Sequence, residues 1–291
     1  MADGVTASDV QTVCTPEDLR ATVGSWKAAG LRVGFVPTMG ALHDGHLSLV
    51  RRARELSDRV VASVFVNPTQ FGPGEDFDSY PRSPERDAEM LAEAGCRLLF
   101  LPQVETIYPP GGSTFVEVEG PSRDFEGAER PEHFRGVATV VLKLLQLAQP
   151  DLAVFGEKDA QQLAVVRRMV CDLHLPVEII GAPIVREGDG LAMSSRNVYL
   201  SAEERRAATV LHRSLEAVRR EVDAGQRSAF ALSQLVLTVL ESEPLGRVDY
   251  VAVVDQEGFR PIETLADRSV IAIAVRFGST RLLDNLHIEL G

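Results

Sequence analysis

The run Arg59-Val60-Val61-Ala62-Ser63-Val64-Phe65-Val66 is apolar on both faces, and no other feature narrows the choice of fold so far. Such a strand needs helices above and below it, as in a parallel sheet, because an antiparallel sheet commonly leaves one face wet. The rest of the chain supplies them. Strands are predicted at Arg32–Val36, Arg97–Leu101, Leu152–Phe155 and Val177–Ile180. Helical spacing of apolar residues falls between them, at Leu47–Leu56, Ser83–Ala94, Val137–Leu147 and Ala160–Cys171. A further helix is expected from Thr15-Pro16-Glu17-Asp18, with Thr as N-cap and Pro in the first turn. The stretch before it reads as polar and loose. Strand alternating with helix is the signature of an α/β fold: a Rossmann-like, doubly wound parallel sheet.

The pattern changes after Pro183. Ser201 with Glu204 reads as a capping box for one long helix ending before Gly225, and a second helix is expected over Ser228–Leu240. Three β-rich runs follow, Val248–Val254, Ser269–Val275 and Leu286–Leu290. Helices followed by closely spaced strands predict a smaller C-terminal α+β domain with an antiparallel sheet. The expected division is residues 1–184 and 185–291, with the second domain as a lid hinged near Pro183–Gly190.

A chain of 291 residues can bury a sizeable core, and 45% apolar with 25% charged residues is ordinary for a globular protein. Its net charge of −12 speaks against a general nucleic-acid-binding surface but not against a nucleotide pocket, where a few local cations outweigh the global field. The three cysteines, Cys14, Cys96 and Cys171, form no Cys-x-x-Cys pair, which suits a reducing compartment and offers no zinc site. Met1-Ala2-Asp3-Gly4 opens a polar segment without a signal pattern, and no apolar stretch is long enough for a membrane span. These features predict a cytoplasmic protein.

Chemistry-bearing residues gather where predicted strands end. Pro37-Thr38-Met39-Gly40-Ala41-Leu42-His43-Asp44-Gly45-His46 joins the first of these strands to its helix, with two histidines three residues apart. Free N–H groups and the positive end of a helix dipole favour phosphate at such a place, and the imidazoles add donors. Asn67 and Gln70 follow the next strand, Gly156-Glu157-Lys158-Asp159 with Gln162 a later one, and Met193-Ser194-Ser195-Arg196 lies beyond Pro183. Open α/β sheets bind ligands at this carboxyl edge. Helix capping by His43 and His46, turn formation by Asn67 and Gln70, a surface pair of Lys158 with Asp159, and N-capping by Ser194 and Ser195 are the structural alternatives. His174, His212 and His287 read as structural, and Asp87 as part of an exposed acidic helix face.

Val36–His46, Phe65–Phe71, Arg130-Pro131-Glu132-His133-Phe134-Arg135-Gly136-Val137 and Phe155–Asp159 closely resemble the pantoate–β-alanine ligase family of the His-x-Gly-His nucleotidyltransferase superfamily. Gly190–Asn197 is similar to that family's variant of the Lys-Met-Ser-Lys-Ser loop, and a weaker likeness continues to Asp284-Asn285. Ala160 departs from the pattern, which usually has Tyr there; looser packing behind Gln161-Gln162 is the expected consequence.

The resemblance implies that pantoate is activated by ATP as pantoyl adenylate and then taken by β-alanine, with release of pyrophosphate and AMP. His43, His46, Lys158, Ser194, Ser195 and Arg196 would serve the triphosphate, His46 chiefly as an electrostatic donor. Met39, Gly40, Ala41, Leu42, Asp44, Gly45, Gly156, Glu157, Asp159, Val185 and Met193 would complete the ATP site, with Asp159 at the ribose. Pro37, Thr38, Met39, Asn67, Gln70, His133 and Gln162 would bind pantoate or β-alanine. Mg²⁺ is expected with ATP, with Asp87 as a candidate neighbour, and a homodimer is the expected assembly. Two other readings stay open. One is a nucleotidyltransferase that leaves AMP on a phosphorylated acceptor; the other is a non-catalytic ATP-binding regulator.

Overall fold

The computed structural model describes residues 10–290, which divide into two units. One comprises the chain up to Val118 with Arg130–Gly156 and Val166–Ala182; the other comprises Glu119–Glu129, Glu157–Val165 and the chain from Pro183 onward. In chain order the elements are β1 (Gln11–Val13), α1 (Pro16–Ala28), β2 (Val33–Thr38), α2 (Asp44–Leu56), β3 (Arg59–Val64), α3 (Pro84–Ala94), β4 (Leu98–Phe100) and α4 (Val104–Ile107). Then come α5 (Glu126–Glu129), α6 (His133–Ala148), β5 (Leu152–Gly156), α7 (Ala160–Asp172) and β6 (Glu178–Ala182). The rest are α8 (Ala202–Ala207), α9 (Val210–Asp223), α10 (Ala229–Glu241), β7 (Gly246–Asp255), β8 (Arg268–Phe277) and β9 (Thr280–Glu289).

The first unit holds a six-stranded parallel sheet in the order β1-β4-β3-β2-β5-β6. Val60 to Val64 are all buried, as a strand with two apolar faces requires. Leu47, Leu49, Val50 and Ala53 of α2 pack with Val36, Val60, Val64 and Leu152. Each fully buried aliphatic side chain of this kind contributes about 1.5–3 kcal/mol relative to exposure. Thr15 caps α1 by accepting from the Asp18 amide at 3.2 Å, as predicted. The strand order reverses between β2 and β5, which pair at Gly34–Leu152 and Phe35–Ala153. Ligand crevices of doubly wound sheets lie outside the carboxyl ends of such a strand pair.

The second unit is built on the antiparallel sheet β7-β8-β9. One face packs Val253, Ile271, Ile273, Val275 and Leu282 against α9 and α10. The other packs Ala252, Val254, Val270 and Ala272 against Ala160, Ala164 and Phe259.

Some expectations are corrected. The edge strand β1 lies in the stretch read as loose, of which residues 1–9 fall outside the described part. The capping box of Ser201 and Glu204 is present, but its helix stops at Ala207 and restarts at Val210. Thr209 Oγ1 donates to the Arg206 carbonyl at 2.8 Å there, competing with the regular ladder. β9 starts at Thr280, six residues before the predicted Leu286. Cys14 and Cys171 are exposed free thiols; Cys96 is buried, and burial pushes its thiol up to about 12. No helix among the described residues is long and apolar enough to cross a membrane.

Candidate active site

In the first unit the predicted loop leaves β2 with Pro37 and Thr38 still on the strand. Thr38 Oγ1 donates to the Ser63 carbonyl at 2.8 Å and accepts from the Gly40 amide at 3.2 Å. Gly40 and Ala41 both have positive φ, +84° and +50°. A Cβ on Gly40 would lie 2.9 Å from Asp87 Oδ2 and 3.0 Å from Val64 Cγ1, so this position requires glycine for space as well as conformation. Helix α2 then starts at Asp44 rather than Leu47. His43 is its N-cap, its Nδ1 accepting from the Gly45 amide at 3.1 Å. That tautomer carries its proton on Nε2 when the ring is neutral. The His43 and His46 rings stand 4.1 Å apart between centroids, tilted by 44°. The cap engages Nδ1 of His43.

Asp87 is not on an exposed face. It is 2% accessible, and its carboxylate accepts from the Ala41 amide at 3.1 Å and the Leu42 amide at 2.9 Å. Burial raises its pKa, against the opposing pull of those two amides. Both oxygens thus help to hold the turn before His43. Among the described residues no three His, Cys, Asp or Glu side chains could jointly hold a metal ion.

Asn67 caps, and Gln70 ends, the 3₁₀ turn Pro68–Gln70 after β3. Asn67 is 1% accessible. Its Nδ2 donates to Gln70 Oε1 at 3.0 Å and the Gly136 carbonyl at 3.2 Å; its Oδ1 accepts from Thr69 Oγ1 at 3.0 Å and Tyr108 Oη at 2.8 Å. Asn67 therefore orients Gln70. The Gln70 Nε2 donates to Met39 Sδ at 3.3 Å, and a thioether is a weak acceptor that an incoming oxygen can displace.

His133 opens α6 and is 8% accessible. Its Nδ1 lies 2.9 Å from the Gln70 carbonyl, which can only accept, so the proton sits on Nδ1. Nε2 faces Arg130 Nη1 at 3.2 Å, and the same guanidinium grips Glu75 bidentately at 2.7 and 2.6 Å. Sequence alone assigns no role to Glu75, Arg130 or Tyr108, and only the Arg130–Val137 motif carries any sign of them.

Burial draws the Glu75 carboxyl upward, but the hydrogen bond and charge of Arg130, joined by the Gly72 backbone and His133, together hold the group below its ordinary 4.5. A depressed carboxylate stabilises the fold above its unfolded pKa and loses that contribution as pH falls through the folded value. Glu75→Gln should therefore cost about 1.5–3 kcal/mol near neutrality, typical of a hydrogen bond to a charged group. The gap should close in acid, below the folded value. Urea denaturation across pH checks this, and a gap independent of pH would contradict it.

In the second unit Glu157, Lys158 and Asp159 form a 3₁₀ turn leading into α7. Among the described residues the Lys158 ammonium pairs with no carboxylate, so the surface pair with Asp159 does not form. Gln161 is buried and ties three points of the preceding loop, donating to the Pro121 and Asp124 carbonyls and accepting from the Glu126 amide. Gln162, its neighbour, is half-buried. Ala160 is 8% accessible and packs in a buried cluster with Ala164, Val254 and Phe259.

The segment from Val185 folds back on itself: the Met193 amide donates to the Val185 carbonyl at 2.9 Å, and Arg186 bridges to Ala192. Ser194 caps the 3₁₀ turn Ser195–Tyr199 by accepting from the Arg196 amide at 3.3 Å. Arg205 clamps Glu187 and Asp189 at 2.6 and 2.8 Å. His212 packs against Gly190, where a Cβ would lie 2.0 Å from its ring.

A family model described as pantoate–β-alanine ligase matches residues 11–287. The chain belongs to the pantoate–β-alanine ligase family. It is 55% identical to the pantothenate synthetase of Heliobacterium modesticaldum, covering 90% of this chain and 93% of that one. It is 54% identical to that of Herpetosiphon aurantiacus, covering 95% and 99%. A crystal structure of the Thermus thermophilus pantothenate synthetase superposes with a TM-score of 0.90 at 53% identity, covering 95% of this chain and 99% of that one. The Francisella tularensis ligase, complexed with β-γ ATP and β-alanine, superposes with a TM-score of 0.77 at 32% identity over 95% and 97%. Membership in the ligase family agrees with the parallel sheet and the smaller antiparallel one. The ligase motifs divide between the two units: the histidines, Asn67, Gln70 and His133 in the first, and Lys158, Gln162 and Ser194–Arg196 in the second.

Proposed function

We propose that this chain condenses pantoate with β-alanine using ATP, through pantoyl adenylate. The observation that carries the reading is the imidazole pair at the N-terminus of α2, at the carboxyl end of a strand where the sheet order reverses. A pantoate carboxylate oxygen attacks the α-phosphorus of ATP, and the bond to the bridging oxygen of pyrophosphate breaks. The amine of β-alanine then attacks the acyl carbon and AMP leaves, its phosphate taking up the amine proton.

A carboxylate nucleophile has no proton to lose, so catalysis rests on stabilising charge that develops on the phosphoryl oxygens. His43, His46, Lys158, Ser194, Ser195 and Arg196 supply donors suited to this. Backbone groups from Met39 to Gly45, with Gly156, Glu157, Val185 and Met193, complete the nucleotide contacts, and Asp159 takes the ribose. Mg²⁺ would be held chiefly by the ATP phosphates rather than by a dedicated protein cage, and it would offset their charge.

Pro37, Thr38, Met39, His133 and the neutral amides of Gln70 and Gln162 hold pantoate without a tight ground-state ion pair. Gln70→Ala should chiefly raise the pantoate concentration needed for half-maximal rate, and an unchanged dependence on pantoate would refute that role. The reading extends to a cytoplasmic homodimer, which sedimentation would check. The function itself is tested by AMP release, expected only when pantoate, β-alanine and ATP are all present. AMP left attached to an acceptor would favour the nucleotidyltransferase reading instead.

A further inference from the structure

Strand β9 carries two polar residues where alternation would allow one to be buried. Asp284, Asn285 and Leu286 are consecutive and all buried, at 1%, 3% and 6% accessibility. Successive side chains of a strand point to opposite faces of the sheet, so Asp284 and Asn285 reach in opposite directions. Asp284 lies on the face of Leu282 and Leu286, and a carboxylate in that apolar layer requires a partner. Arg186 provides it bidentately at 2.6 and 2.9 Å, and the same guanidinium donates to the Gly190 carbonyl at 3.0 Å. Asn285 points the other way. Its Nδ2 donates to the carbonyls of Glu157 at 2.8 Å and Lys158 at 2.7 Å.

One dipeptide thus fastens two loops far apart in the chain. Asn285 pins the 3₁₀ turn that bears Lys158. Asp284, through Arg186, pins the fold-back that leads to Ser194–Arg196. We propose that Asp284 and Asn285 are positioning residues for adenylation, holding the lysine and the Ser-Ser-Arg turn in fixed register to each other within the second unit. This rests on the ligase reading above. Neither residue need touch substrate. Prior fixing matters because transition-state donors act well only when no reorganisation is needed at the moment of reaction, and about 1 Å of misplacement can cost 100-fold.

The test is a double-mutant cycle on pantoate-dependent ATP–pyrophosphate exchange, using the full chain as N285A, K158A and the pair. N285A should lower kcat by about 10- to 100-fold with the pantoate KM unchanged. In the K158A background the same replacement should change kcat by less than about twofold, because residues acting through one another are non-additive. An equal loss in both backgrounds would overturn the proposal and leave Asn285 a purely structural residue. Should N285A not fold, N285S, which keeps a short hydroxyl donor, takes its place with the same two outcomes. The parallel cycle of D284N with R196A tests the other face on the same criterion. If the parent protein shows no pantoate-dependent exchange, the ligase reading has failed, whereas exchange with additive losses sinks this inference alone.

Discussion

Lys158→Ala should slow pantoate-dependent pyrophosphate release by about two to three orders of magnitude, the loss typical of one transition-state donor. The expectation follows from how the residue is held. Its backbone carbonyl and that of Glu157 are both fixed by Asn285, while its ammonium has no carboxylate partner among the described residues. A cation that neutralises no protein charge remains available to phosphoryl oxygens that gain charge as pyrophosphate departs. Loss of such a group should lower kcat more than it raises the ATP requirement, since the contact strengthens in the transition state. Rapid-quench measurement of labelled pyrophosphate in a single turnover checks this. A rate near the parent's would remove Lys158 from the mechanism.

The second large effect is expected at Gly136, on the first turn of α6. A Cβ there would lie 2.4 Å from the Thr69 carbonyl oxygen, 2.6 Å from its carbon and 2.7 Å from the Gln70 nitrogen. All three are backbone atoms and cannot swing aside. On helix propensity alone, Gly→Ala would stabilise the chain by up to about 1 kcal/mol. Overpacking of this kind costs about 1–3 kcal/mol, and the clash is with a turn also bonded to α6 through Asn67 Nδ2 and the Gly136 carbonyl. Gly136→Ala should therefore melt several degrees lower and displace Gln70, raising the pantoate requirement about tenfold or more. A variant that melts higher, with pantoate dependence intact, would show that the turn yields freely.

The distance between what sequence and structure disclose is set by how local each signal is. The two-faced apolar strand β3, the Thr15 cap and the Ser201–Glu204 box are legible because their causes lie within a few residues. The histidine pair is legible for the same reason, since glycines and imidazoles punctuate one strand-to-helix turn. β1 is three residues long and exists through pairing with β4, whose partner residues lie some eighty-seven positions away, Gln11 to Leu98. Asp87 looks solvated on its own helix, and only the amides of Ala41 and Leu42 reveal why it is buried. The start of β9 is obscured by Arg281, Asp284 and Asn285, which read as loop. Arg281 is paired in the strand with Glu126 and Asp249, and Asp284 with Arg186. The Glu75–Arg130–His133 chain that sets Gln70 leaves no periodicity to find, because it joins residues 55 apart.

The decisive measurement follows the oxygen atoms. With ¹⁸O in the pantoate carboxylate, attack on the α-phosphorus followed by displacement at the acyl carbon leaves one labelled oxygen in each AMP formed. Mass spectrometry of AMP from a complete reaction with β-alanine should find that label. AMP free of ¹⁸O, with both heavy oxygens kept in pantoate or the label carried into inorganic phosphate, would contradict the account.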